Sequence, residues 1–335
     1  MPRSALAPKR GLANESREDQ KQKDVLMDVL GQQLINGLVM GSLYALVALG
    51  YTMVYGIINL INFAHGEVLM VGAITSWSVM EFFAEYTPAM PLWVAFLISM
   101  VLAALVCALI NVAIEKLAYR PLRNAPKLAP LITAIGVSIF LQTLVMIIFK
   151  PTYKSYHNPL PSDPLNLGPW VITPTQITIL VVTALLLVAL NLLVNHTALG
   201  RAMRATSENP AMASLMGVKV DRIISWTFAI GAVLAAVAGV LWAANFGTVH
   251  HAMGFMPGLK AFTAAVLGGI GNLPGAVLGG LCLGLIESIG SGYLGALSGG
   301  VLGSQYSDIF AFGVLIVMLT LRPAGLLGER VAERA

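Results

Sequence analysis

Eight apolar runs, at about 34–56, 66–84, 91–114, 129–149, 175–194, 223–246, 258–290 and 306–321, take up most of this chain. Each is near or above the roughly 20 residues that a helix needs to cross a bilayer. Lipid offers no hydrogen bond to an unpaired backbone, so repeated runs of this kind point to an all-α polytopic transmembrane helix bundle. Charge excludes the soluble alternative. Only 11% of the 335 residues are charged and 57% are hydrophobic, whereas a soluble surface calls for about 25% charged residues. A large soluble catalytic domain is therefore excluded.

Cys107 and Cys282 both lie inside apolar runs, where a thiol behaves as a small hydrophobe, so neither a disulfide framework nor a cysteine metal site is expected. Residues 1–30 form a polar extension of mixed charge, expected to be disordered up to a short amphipathic helix near 24–35. No apolar stretch precedes residue 25, so the extension does not read as a signal peptide.

Basic residues mark the sidedness. Lys116, Arg120, Arg123 and Lys127 lie in the connection 115–128, and Arg201, Arg204, Lys219 and Arg222 lie in 195–222, which places both on the cytoplasmic side. The connections 85–90, 246–257 and 291–305 hold no Lys or Arg and belong to the opposite face. Three spans precede the first cytoplasmic connection, so parity puts the N-terminus outside. The same count makes 258–290 a re-entrant segment that begins and finishes on the outer side. That segment is interrupted at Gly268, Gly269, Gly271, Asn272, Pro274 and Gly275, a string that cannot continue a regular helix.

A second polar break, Asn59, Asn62, His65, Gly66 and Glu67, divides the first two spans. Paired breaks in the two halves of a membrane protein point to a translocation path. Asn59, Asn62, His65, Glu67 and Asn272 are accordingly the path candidates. A plainer reading stays open, in which Glu67 stabilises the N-terminal end of a helix at the cytoplasmic membrane surface while Asn62 and His65 satisfy the backbone at the break. Too few ligands gather for a metal site. Lys260 reads as a side chain that snorkels to an interface and Asp308 as a helix N-terminal charge. Glu287 calls for a partner on a neighbouring helix, which the sequence does not name. Gly37 with Gly41 and Gly275 with Gly279 have the spacing that lets helix backbones approach closely.

The hydrophilic segment 196–222 is long for a connection between packed spans. It has a helical stretch before Pro210, another over 211–216, and a short apolar face of Ala211, Leu215 and Met216 beside Arg201, Arg204 and Glu208. It suits docking on a soluble partner, although an ordinary loop has the same composition.

Several stretches carry a resemblance. These are GSLYALVALGYTMVYGIINLINFAHGEVLMVGA at 41–73, AYRPLR at 118–123, AIGVSIFLQ at 134–142, GRAMRATSENPAMASLMGV at 200–218, GLKAFTAAVLGGIGNLPGAVLGG at 258–280 and RPAGLLG at 322–328. From about residue 31 to 328 the chain resembles the permease subunits of high-affinity branched-chain amino-acid ABC importers, LivH type. The resemblance implies a multi-pass subunit of the bacterial inner membrane, with a second permease, two cytoplasmic ATPases and a periplasmic solute-binding protein as partners. It also implies that 196–222 is a cytoplasmic coupling loop, with Gly200, Arg201, Arg204, Glu208, Leu215 and Gly217 in contact with the ATPase. Relatives of this family import urea or short amides, which is the alternative substrate class.

No G-x-x-x-x-G-K-[ST] motif occurs, so ATP is expected on the partner subunits and no cofactor on this chain. Two rival readings use the same residues. A passive channel would use the breaks at Asn62-Phe63-Ala64 and Asn272-Leu273-Pro274 as paired half-helices, but has no need of a docking loop. An intramembrane enzyme would need more than His65 and Glu67, and neither H-E-x-x-H nor G-x-S-x-G occurs.

Overall fold

The computed structural model describes residues 9–58, 60–123, 125–126, 128–161, 163–298, 306–322 and 324–328. Its helices are α1 (Lys9–Ile58), α2 (His65–Tyr86), α3 (Leu92–Ile114), α4 (Leu128–Phe149), α5 (Pro174–His196), α6 (Ala198–Glu208), α7 (Pro210–Leu215), α8 (Val220–Phe246), α9 (Phe255–Gly268), α10 (Leu273–Leu297) and α11 (Ser307–Leu321). Among the described residues seven helices are long and apolar enough to span a membrane; α9 and α11 are shorter. The chain is a multi-pass membrane protein. The spans in α1 and α8 are the most enclosed, while α3, α4 and α5 leave most of their surface outside the packed bundle.

The expected disordered extension takes a different form. From Lys9 onward it is the leading part of α1, and the amphipathic helix placed at 24–35 is continuous with the first span. Residues rich in Ala, Glu, Gln and Lys extend a helix readily once the costly first turn already exists.

Two faces of the bundle are defined by contacts. The last turns of α1 at Met53, Gly56 and Ile57 share a small pocket with Met203, Arg204 and Ser207 of α6. At the other end, Gln32 exchanges hydrogen bonds with the backbone of Val171 at 2.9 and 3.0 Å, within the connection between α4 and α5. The start of the membrane-spanning part of α1 therefore lies opposite the 196–222 connection, as parity requires. The connection between α4 and α5 carries the short strands β1 (Lys154–Ser155), β2 (Leu165–Leu167) and β3 (Trp170–Ile172). β1 pairs with β4 (Thr248–Val249), and β2 pairs with β3. Tyr156 anchors it to Ser76 at 2.8 Å. Burial pushes the Tyr156 hydroxyl up to about 12, which keeps it neutral.

The broken segment is resolved into unequal halves. α9 descends to a turn at 269–272, where Gly271 lies beside Gly56 of α1, and the 25-residue α10 returns the full way across. The turn thus reaches the face that carries α6. Asn272 caps α10 by accepting from Gly275 N at 2.9 Å and donates to the Leu327 carbonyl at 2.9 Å.

Both small-residue rows are used. Gly37 and Gly41 meet α10, where an added Cβ on either would stand 2.8 Å from a Leu285 or Leu281 backbone carbon. Gly275 and Gly279 meet α9 at Gly268 and Ala264. Helix backbones pack this closely only where side chains are absent, which supplies dispersion contacts in place of the missing hydrophobic drive. A Cβ on Gly280 would lie 2.6 Å from the Ala45 amide nitrogen. Gly280→Val should therefore force α1 and α10 apart and lower stability by about 1–3 kcal/mol. The check is the melting midpoint of the purified protein in detergent, and an unchanged midpoint contradicts the packing.

A buried ionic cluster ties four helices together. Lys260 of α9 lies 2.6 Å from Glu287 of α10 and 2.6 Å from Asp308 of α11, and Tyr44 of α1 donates to Glu287 at 2.9 Å. Lys260 does not snorkel to an interface; it is 8% exposed because two carboxylates compensate it inside the bundle. Asp308 likewise is an ion-pair partner as well as a first-turn acid.

Candidate translocation path and coupling surface

α2 begins well inside the bundle. His65, its first residue, packs against Gly50 of α1 and Gly231 of α8, and edge-on against Tyr51 with ring centroids 4.9 Å apart. Gly50 lies eight residues before the end of α1, so the chain doubles back by about 12 Å before α2 starts. This overturns the placement of Glu67 at the cytoplasmic membrane surface. Its Oε1 accepts from Gln142 Nε2 at 2.6 Å and from Ser138 Oγ at 3.2 Å, both near the middle of α4.

α9 starts at the same depth. A Cβ on Gly66 would lie 2.7 Å from the Gly254 carbonyl oxygen and 2.9 Å from Gly258 Cα, so the first turns of α2 and α9 cross backbone against backbone. Beside this crossing is a cavity of about 500 Å³, a volume usual for small-molecule sites. Its walls are mainly apolar, including Phe63, Ile135, Ile139 and Phe255, and Glu67 is the one carboxylate on them. Ile135 and Ile139 are exposed on its open flank.

The second element is the elbow α6–α7. Thr197 caps α6 by accepting from Gly200 N at 3.0 Å, and Asn209 caps α7 by accepting from Met212 N at 3.0 Å with Pro210 in its first turn. These are the side chains that satisfy otherwise unpaired helix-start amides. Gly217 ends α7 at φ +84°, a left-handed conformation that favours glycine. Arg204 turns back to the Val194 carbonyl at the end of α5. Met212, Leu215 and Met216 project from the elbow at 59%, 80% and 85% exposure.

The family described as "Branched-chain amino acid transport system / permease component" matches residues 33–319. The high-affinity branched-chain amino acid transport system permease protein BraD of Pseudomonas aeruginosa is 46% identical over 311 residues, covering 90% of this chain and 97% of that protein. The permease proteins LivH of Escherichia coli K12 and of Salmonella typhimurium are 44% and 43% identical over 313 residues, again covering 90% of this chain and 97% of each. This chain belongs to that permease family.

Within this permease the path candidates separate. Glu67 borders the cavity. His65 is fully buried behind Tyr51 and does not border it. Asn62 closes its own break: its Oδ1 accepts from Ala64 N at 3.0 Å and from Tyr119 at 2.7 Å. Asn272 caps α10 at the α6 face, away from the cavity. Asn59 lies outside the described residues. Of the coupling candidates, Gly200 packs against the end of α5, and Arg204 is partly spent on that same end. Arg201, Glu208, Leu215 and Gly217 are exposed.

Sequence reasoning missed Tyr51, Ser138 and Gln142. A signal was present for the last two, since Ser138 and Gln142 stand four residues apart, on one face of an otherwise strongly apolar span. A further polar cluster lies on the α6 face, where Arg120 and Arg123 both pair with Asp221 and Arg123 also pairs with Glu115. Ser225 of α8 donates to Glu115 at 2.7 Å. Arg120 and Arg123 thus bolt this connection to the start of α8.

Proposed function

We infer that this permease is a membrane subunit of an ABC importer of the bacterial inner membrane, which moves leucine, isoleucine and valine inward by ATP-driven alternating access. Its partners in this reading are a second, similar permease, two cytoplasmic ATPase subunits that bind and hydrolyse the ATP, and a periplasmic solute-binding protein. The reading draws on the relatives named above and on one feature of the geometry. The elbow shares a pocket with the last turns of α1 and the turn between α9 and α10. Tyr51 of α1 and the first turn of α9 border the Glu67 cavity. A force on α6 thus acts on the ends of the helices that shape the cavity, and stiff packed helices carry displacement over that distance.

An apolar side chain suits the walls of the cavity, and the few polar groups at one end suit a charged head. Such a lining binds without trapping, which transport requires.

Reconstituted vesicles holding the complete importer test this. Leucine uptake should require hydrolysable ATP and the binding protein, and uptake that continues without nucleotide would turn the assignment to a passive channel. Topology gives a second check. Ser214→Cys, on the exposed side of the elbow, should react with an impermeant thiol reagent only from the face that binds the ATPase. Labelling from the opposite face removes the coupling role.

A further inference from the structure

A carboxylate in the middle of a membrane protein is costly unless something compensates it. Glu67 is 1% exposed. Its Oε1 is served by Gln142 and Ser138, but both of those donors are neutral. No cation pairs with it among the described residues, in contrast to Glu287 and Asp308, which share Lys260, and to Glu115 and Asp221, which have Arg123. Glu67 Oε2 has no hydrogen-bond partner and lies toward Gly254, at the start of α9. Oε2 itself is enclosed, but Glu67 is one of the residues that line the cavity, which gives a partner a side to approach from.

The surroundings narrow the chemistry of that partner. Two helix N-termini meet beside Glu67, those of α2 and α9, and each presents the positive end of its peptide dipoles. A simple cation would gain from Glu67 and lose to both helix ends. A zwitterion gains from both, because its own carboxylate can lie toward the two helix dipoles while its ammonium meets Glu67. The dipoles act here without a row of free donors, since the amides of His65, Glu67, Phe255 and Gly258 bond backbone carbonyls and Pro257 has none. The remaining wall is apolar, with Phe63, Ile135 and Ile139 close by. It would receive a hydrocarbon side chain and offers nothing to a second charge.

We propose that Glu67 is the counter-charge for the ammonium of the transported amino acid, whose carboxylate then lies toward the positive dipole ends of α2 and α9. This assignment rests on the importer reading above and adds the recognition point to it. It also explains why α2 begins deep in the bundle: only a helix that starts there can bring its N-terminal end and a first-turn carboxylate to the cavity. Uncharged amides lack the ammonium that Glu67 would pair with, so the site disfavours them.

The test uses the complete importer in vesicles, comparing wild type, Glu67→Gln and Glu67→Asp for leucine uptake and for ATP hydrolysis stimulated by the binding protein. Gln keeps the acceptor for Gln142 and Ser138 and nearly the same shape. Its uptake should fall about 100-fold or more, the scale of loss when one member of a buried charge pair is neutralised. Uptake is compared per ATP hydrolysed, so that a change in the rate of the ATPase is not mistaken for a change at the cargo site. Asp keeps the charge and should retain at least about a tenth of wild-type uptake, the loss being one of reach alone. Uptake by Glu67→Gln within about threefold of wild type overturns the proposal and leaves Glu67 as a helix N-terminal charge, worth no more than a small effect. Uptake by Glu67→Asp no better than by Glu67→Gln, with ATP hydrolysis intact in both, also overturns it. A wild-type complex that neither hydrolyses ATP nor takes up leucine sinks the importer reading first, and this site with it.

Discussion

Replacing Met212, Leu215 and Met216 together by aspartate should abolish nucleotide-driven uptake while leaving the permease folded and inserted. The three side chains project from α7 and its end at 59%, 80% and 85% exposure. Lipid does not explain that exposure. The same elbow exposes Arg201, Glu208 and Asn209, so its apolar residues face an aqueous space. Exposed apolar groups flanked by charge on an aqueous surface mark a place where another protein binds. Burying each against a partner contributes about 1.5–3 kcal/mol, and a carboxylate in its place must be desolvated as well. The summed loss corresponds to a drop in affinity of at least about 1,000-fold, enough to separate a protein partner docked there, which the proposed function takes to be the ATPase. Co-purification of the ATPase with the permease from membranes is the direct measurement, with uptake as the second. The melting midpoint should hardly move, because none of the three is packed in the fold. Retained co-purification with normal uptake would mean that the ATPase docks elsewhere.

Single changes at the arginines of the elbow have a different meaning. Arg201 is exposed and can be read through partner binding. Arg204 donates to the Val194 carbonyl, so its removal should loosen α6 from α5 and, under the proposed function, weaken coupling from inside the permease. A charge reversal at both positions mixes the two effects, which is why the apolar knob is the cleaner probe.

Much of this architecture is legible in the residues themselves. Apolar runs, the glycine breaks and the spacing of Gly37 with Gly41 and Gly275 with Gly279 report local chain properties; the glycine break and both glycine contacts recur in the structure, while the run at 306–321 forms a helix shorter than a full span. The caps of the elbow are equally local: Thr197, Asn209 and Pro210 do there what those residue types do at helix starts. Depth is another matter. Hydropathy tells where an apolar run stops, but not that the chain then folds back beside α1 before the next helix begins. Glu67 was therefore placed at the surface when it belongs in the interior. Ionic pairing fails for a related reason. Lys260, Glu287 and Asp308 lie on three helices, and only the packing of glycine rows between α9 and α10 brings the first two together. A sequence window sees three isolated charges, each with an ordinary explanation.

That cluster carries the other large effect. Lys260→Met should destabilise the permease by about 3–5 kcal/mol, the usual result of removing one partner from a buried ion pair. Methionine has similar length and no charge, so packing is nearly conserved while Glu287 loses its cation. Glu287 is 9% exposed and keeps only the Tyr44 hydroxyl, at 2.9 Å, among the partners described here. Asp308 is affected less, since its side chain is the less enclosed of the two carboxylates. The double variant Lys260→Met with Glu287→Gln removes both charges and should recover much of the loss, because the destabilisation comes from the orphaned carboxylate more than from the missing bond. Unfolding of the purified variants in detergent, followed by circular dichroism, measures both. A Lys260→Met protein within about 1 kcal/mol of wild type would place the cluster in contact with water and remove its role as a clamp. The functional consequence follows from position. Lys260 lies in the second turn of α9, directly after the residues that cross α2 and border the cavity. The ion pair to α10 and α11 therefore fixes the depth and rotation of that helix end. If the clamp loosens, the crossing at Gly66 and Gly258 loosens with it, and transport should fall in the single variant and return with stability in the double.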